Sequence, residues 1–237
     1  SVSAAQAENL LERAGHYGMQ AINEPFLLQS GSLVMETDTA LAMPKGERSW
    51  SVSHSISNSF GKSPEAESAL KKRGQQNNDS PITRADLQAI APGEDLFLAD
   101  GQLSITRFYF TEQYSEKLQF GVEIPLVQIH GGYTDDLIED FHDSQGFGDH
   151  GRDGTSRDDV RVYLRKGDFE YFNEGIDSIK IGDPIVSAKY SLTKPSDRGL
   201  QMALKSSLKL SVRDAEFYSS GSSDLGVQFI AEYHFSR

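Results

Sequence analysis

From about residue 47 onward, apolar and polar side chains alternate one for one along most of this chain. Trp50, Val52, His54, Ile56 and Phe60 stand against Ser49, Ser51, Ser53, Ser55, Ser57 and Ser59. Successive side chains of an extended strand point to opposite faces, so the pattern predicts a strand with one small polar face, suited to a wall that meets water inside a barrel. The same period recurs at 117–126, where Leu118, Phe120, Val122, Ile124 and Leu126 oppose Lys117, Gln119, Gly121 and Glu123. It recurs at 184–193, where Val186, Ala188, Tyr190 and Leu192 oppose Ser187, Lys189 and Ser191. It is cleanest at 200–212, where Leu200, Met202, Leu204, Leu208, Leu210 and Val212 oppose Gln201, Lys205, Ser207, Lys209 and Ser211. Leu225, Val227, Phe229, Ala231, Tyr233 and Phe235 form the last apolar face, against Gln228, Glu232 and His234, with Ile230 as an exception. Residues 101–111 read as a mixed strand, because Arg107 shares a face with Leu103 and Ile105.

These segments run about ten residues or more, the length a tilted strand needs to cross a bilayer, whereas strands of soluble domains average about five or six. The connections alternate too. Glu112–Glu116 and Lys194–Asp197 are short, while 61–92, 131–182 and 213–223 are long. Short periplasmic turns and long outer loops are the rhythm of outer-membrane barrels. The expected fold is therefore all-β, an antiparallel transmembrane up-and-down barrel over 30–237, with external loops at 61–92, 131–182 and 213–223. Residues 1–29 form an N-terminal periplasmic segment with a short helix over Ser3–Ala14. About six clear strands fall short of the roughly eight that close a single-chain barrel. Either 32–43 and the hairpin at 160–173, placed above the membrane, add strands, or other outer-membrane or periplasmic chains complete or anchor the wall.

Composition narrows the choice. No stretch approaches the roughly 18 apolar residues of a membrane helix, which leaves a barrel open. There is no cysteine among 237 residues, removing disulfides and thiolate metal sites. The net charge of −12 argues against nucleic acid as a partner, while the barrel reading makes outer-membrane lipid the expected one. A start at Ser1 fits a removed signal peptide, or equally a truncated start. The alternative from another class is a water-soluble barrel or sandwich around a small apolar ligand, with its apolar face inward and its lysines outward.

Residues 117–153, KLQFGVEIPLVQIHGGYTDDLIEDFHDSQGFGDHGRD, add a more specific signal. A strand ending in GVE-x-P, a Gly-Gly pair, D-x-x-I-E-x-F-H and a glycine-rich GR-D stretch together resemble the bacterial domain of unknown function 3187 family. GDPIVSAKYSL at 182–192, ALKSSLKLSV at 203–212 and GSSDLGVQ at 221–228 extend the resemblance over roughly 47–236. It implies an outer-membrane barrel of a Gram-negative bacterium, and it implies no activity, cofactor or catalytic residue.

Candidate chemistry concentrates in the loop 131–160, with nine acidic residues against two basic ones. Thr134 is placed to cap a helix whose first turn holds Asp135 and Asp136, favourable at the positive end of its dipole. Leu137, Ile138 and Phe141 then form one apolar face, expected to pack onto the barrel mouth or fold into the lumen. Asp149, Asp153 and Gly154 match part of a calcium loop, but Gly151 and Val160 stand at two ligand positions. That excludes an EF-hand and leaves a looser calcium site on Asp140, Asp143, Asp149 and Asp153; His142 and His150 suggest zinc more weakly. No G-x-S-x-G elbow is present, so no enzyme is expected. On the barrel reading Lys189, Gln201, Lys205, Ser207, Lys209 and Glu232 line the lumen, as a weakly anion-selective pore or as the paired filling of a closed one. Calcium at the loop is checked by isothermal titration: binding releases heat, and no heat at millimolar calcium removes the site.

Overall fold

The serine-rich stretch forms one long strand, β1 (Arg48–Lys62), which pairs antiparallel with β2 (Leu96–Gln113), and β2 with β3 (Leu118–His130). The computed structural model describes residues 32–235 except 37, 77, 79, 91, 149, 158, 175–177, 195–198, 213 and 215–217. The predicted helix at 3–14 lies outside these. The hairpin expected at 160–173 is β4 (Arg161–Lys166) and β5 (Phe169–Glu174). After β6 (Ser178–Ile181) come β7 (Ile185–Ser191), β8 (Gly199–Lys209) and β9 (Asp224–His234).

The main sheet runs β1-β2-β3-β7-β8-β9, antiparallel throughout, and curls into a half-barrel. β4 takes over the β2 edge at Leu96–Asp100, just past the residues that β3 pairs. β6 does the same on β3 at Leu126–Ile129, beyond β7. Among the described residues, β1 and β9 each pair with one strand only, so the curl stays open.

Register decides what each face carries. Trp50, Phe110, Val122, Val186, Leu208 and Leu225 are consecutive cross-strand partners across all six strands, and every one is exposed on the convex side. One residue away, Ser49, Thr111, Gly121, Ser187, Ser207 and Gly226 form the matching concave row. A one-residue slip would exchange the two faces, so this polarity specifies the register strongly.

The concave side changes character along its height. Toward the long-loop end Leu103, Ile105, Val127 and Ile129 are buried with Val160, Val162 and Tyr218. Further down the same face turns polar, beginning at Arg107. This explains the mixed pattern of β2: one strand crosses from an apolar cap into a charged wall.

The loop 61–92 contains two helices that the alternation did not announce, α1 (Pro64–Gln75) and α2 (Arg84–Ala89). Each has an ordinary start. Ser63 caps α1 with Pro64 following, and Thr83 with Asp86 forms a reciprocal capping box on α2. Ala66, Leu70, Ile82 and Leu87 bury against Leu96, Leu98 and Tyr163, a second core above the sheet. A short 3-10 turn, Arg152–Gly154, presses onto α1 so closely that a Cβ on Gly154 would lie 2.0 Å from the Leu70 carbonyl oxygen. Gly154→Ala is therefore expected to cost about 2 kcal/mol or more, whereas Gly148→Ala, with open space around it, stays within roughly 0.5 kcal/mol. Thermal or denaturant unfolding of the two variants checks this contrast.

Candidate functional site

The six residues read as lumen-lining all fall on the concave face: Lys189 on β7, Gln201, Lys205, Ser207 and Lys209 on β8, and Glu232 on β9. They do not line open water. Lys189, Gln201, Ser207 and Lys209 are buried, because two pieces of chain lie over this wall.

The first is the stretch 32–43, which sequence reading offered as a further strand. It is irregular instead, and side chains rather than a backbone ladder hold it. Lys189 Nζ stands 3.2 Å from Asp38 Oδ1 and donates to the Thr39 carbonyl at 3.0 Å, while Lys205 Nζ reaches Asp38 Oδ2 at 2.9 Å. Thr39 donates its hydroxyl to Glu232 at 2.7 Å, and Tyr109 donates to Glu36 at 3.3 Å. Ala40 is buried with Ala203 and Ile230. Above it, the Met35 side chain lies directly on Gly226, where a Cβ would sit 2.2 Å from the sulfur and push that side chain aside.

The second piece is the loop around Tyr218–Ser220. Lys209 pairs with Asp224 at 2.6 Å, lies 3.7 Å from Asp183 and donates to Ser220. Asp183 in turn accepts from Ser219 at 2.9 Å and from the Val212 amide at 3.1 Å. Arg107, buried between β1 and β3, meets Glu123 at 3.2 Å and donates to Ser55 at 3.3 Å. A charge removed from water must be paired, and each of these is.

The acidic loop is organised by a residue that sequence reading passed over. Arg152 is buried, bonds Asp135, lies 3.8 Å from Asp100 and 3.7 Å from Glu139, and stacks on Phe60 at 4.8 Å. The signal was the GR-D stretch itself, whose glycine lets the arginine be carried down onto α1. The helix expected after Thr134 is α3 (Asp135–Gln145), but its expected packing is reversed. Leu137 and Phe141 are 71% and 57% exposed. Asp135 and Glu139 face inward instead, because Arg152 and Asn58, which donates to Asp135 at 2.7 Å, capture them. Burial pushes the Glu139 carboxyl up, opposed by Arg157 and Arg152.

Of the calcium candidates, Asp140 and Asp153 are exposed, while Asp149 and the Asp143 side chain lie outside the described residues. Among the described residues no group of three or more His, Cys, Asp or Glu is placed to hold a metal. His142 packs edge-on against Phe147, and His150 lies 3.7 Å from Glu67.

On the convex side the rows become mixed at His54 and Thr106, bonded at 2.9 Å, where polar Ser104 and Gln128 stand beside exposed Ile56, Ile179 and Ile181. Above them a cleft of about 430 Å³ is lined by His54, Ser104, Gln128, His130 and Tyr133. Ser104 lies 3.1 Å from His130, whose ring stacks on Tyr133; among the described residues no carboxylate stands behind this pair to make a triad.

Fold and wall together define a class: an antiparallel β half-barrel, apolar outside, charged inside and covered by its own chain. Residues 2–237 match the family described as protein of unknown function (DUF3187), and the chain belongs to that family. No curated protein and no solved structure matches it.

Asp38 reports on the covering segment. Burial raises its pKa, but Lys189 and Lys205 outweigh burial and hold the carboxyl below its ordinary value. A lowered folded value means its stabilisation is complete above the unfolded value, near 3.9, and is lost as pH falls through the folded one. The hydrogen-exchange protection of the Thr39 and Leu41 amides should hold from neutral pH to about 4 and fall below it. Protection unchanged through that range would mean that Asp38 does not hold the segment.

Proposed function

We propose that this chain is wall of a bacterial outer-membrane β-barrel, its convex face in lipid and its lumen closed by residues 32–43 and the Tyr218 loop. One observation carries the reading: large apolar side chains stand exposed in an unbroken row across all six strands of the main sheet. Each such side chain gains roughly 1.5–3 kcal/mol on leaving water, and continuous exposed apolar surface on this scale marks an interface with lipid or protein.

Three further features favour lipid. Tyr114, Tyr190, Tyr233 and Phe235 are exposed and gather toward the short-turn end of the sheet, where a barrel places its aromatic girdle. From His54 and Thr106 upward the convex rows mix polar Ser104 and Gln128 with exposed Ile56, Ile179 and Ile181, a mixed band as at a headgroup boundary. The lysines point inward, the reverse of a soluble barrel built around an apolar ligand. The apolar part of the concavity is already packed by Tyr218 and Val160.

On this reading the protein works as a closed barrel wall with a structured cap of α1, α2, α3 and the β4–β5 hairpin above the outer leaflet. It is a structural or surface-binding element rather than an open pore. The edges of β1 and β9, each unpaired on one side among the described residues, are where further wall joins.

The single tryptophan supplies the test, because Trp50 sits on the convex face at 78% exposure. Reconstituted into vesicles, its emission should shift to the blue and be quenched by phospholipids brominated on the acyl chains. Emission typical of water, untouched by brominated lipid, would overturn the membrane assignment.

A further inference from the structure

We propose that Lys189 and Lys205 form an oxyanion-binding site in the concave wall, filled here by the chain's own Asp38, which a small water-soluble oxyanion can displace. The two lysines are direct cross-strand partners on β7 and β8, so their side chains leave the wall side by side. Each takes a different oxygen of one carboxylate, at 3.2 Å and 2.9 Å. Two ammonium groups on the two oxygens of one anion make a cradle for a carboxylate or phosphate, with charge-assisted bonds from both sides.

The surroundings support exchange rather than simple release. Among the described residues, neither lysine has another carboxylate within ion-pair distance. Lifting Asp38 away alone would leave two ammonium groups unpaired in a wall where Lys189 is only 4% exposed. An arriving anion removes that penalty, so segment and solute compete for one site. A spare donor is also present. The Ser191 hydroxyl, 3% exposed and on the same face two residues beyond Lys189, has no hydrogen-bond partner among the described residues. The covering stretch is also held mostly by side chains rather than by a strand ladder, which makes it the displaceable partner. The inference holds wherever the convex face is seated, since every group in it lies on the other side of the sheet.

The absence of cysteine makes the test clean. Ala40→Cys places a single thiol beneath the segment, at a position 2% exposed and packed on Ala203 and Ile230. Maleimide should label it slowly in sodium chloride and faster, saturably, as inorganic phosphate replaces chloride at constant ionic strength. In Ala40→Cys with Lys189→Met and Lys205→Met the phosphate effect should vanish. Equilibrium dialysis with radiolabelled phosphate gives an independent reading: Asp38→Ala should bind one phosphate at least about tenfold more tightly than the unchanged chain, because its internal competitor is gone. Strand circular dichroism of each variant confirms that the sheet is intact. Labelling that responds to ionic strength but not to phosphate, or a folded Asp38→Ala that binds no phosphate, would overturn the proposal. Trp50 quenching by brominated lipid is read on the same samples, so loss of the membrane assignment and loss of the anion site are separate results.

Discussion

A cation turned away from water must find an anion, and much of the architecture outside the strand ladders follows from that requirement. The sheet points its apolar side chains outward, so its charged residues point into the concavity. Each cation there draws in a piece of chain. Lys189 and Lys205 hold Asp38 and with it the stretch 32–43. Lys209 ties the Ser219–Ser220 turn and Asp183 to the wall, and Arg107 staples β2 to β3 through Glu123. Above the sheet Arg152 does the same for α3, at Asp135 and Glu139. Hydrogen-bonded ladders build the strands, and ion pairs then decide where the connections lie. Breaking one such pair by removing a single partner strands the other charge, which is why these contacts organise the fold even where their net contribution is small.

The same requirement divides the concavity in two. Toward the long loops the inward residues are apolar and are covered by apolar partners, Tyr218 among them. Toward the short turns the inward residues are charged and are covered by a segment bearing a matching carboxylate. β2 belongs to both regions, which is why it carries Leu103, Ile105 and Arg107 on one face. The GR-D stretch of the acidic loop, singled out by its resemblance to the family, serves position rather than chemistry: Gly151, with Gly154 just after it, permits close approach to α1 and Arg152 reaches across to α3.

The parts of this protein set by spacing were legible from its residues. Alternation at 117–126, 184–193, 200–212 and 225–235 located β3, β7, β8 and β9, and it placed all six wall residues on one face. Thr134 with Asp135 announced α3, and Lys166-Gly167-Asp168 announced the β4–β5 turn. The helices of 61–92 were equally written, in Ser63-Pro64 and in Thr83 with Asp86, but short capping signals are easily missed in a polar loop.

What the sequence by itself determined is the strands, their two unlike faces and the family, because a strand's period is local and two faces of opposite polarity tolerate only one register. The tertiary structure alone decided what covers the charged face. Asp38 is about 150 residues from Lys189, and nothing in its neighbourhood marks it as their partner. It decided likewise that α3 turns Asp135 and Glu139 inward and leaves Leu137 and Phe141 exposed, since that choice depends on Arg152 arriving from beyond the helix. Pattern fixes what lies within one element; pairing of charges between distant elements exists only once the sheet has brought them together.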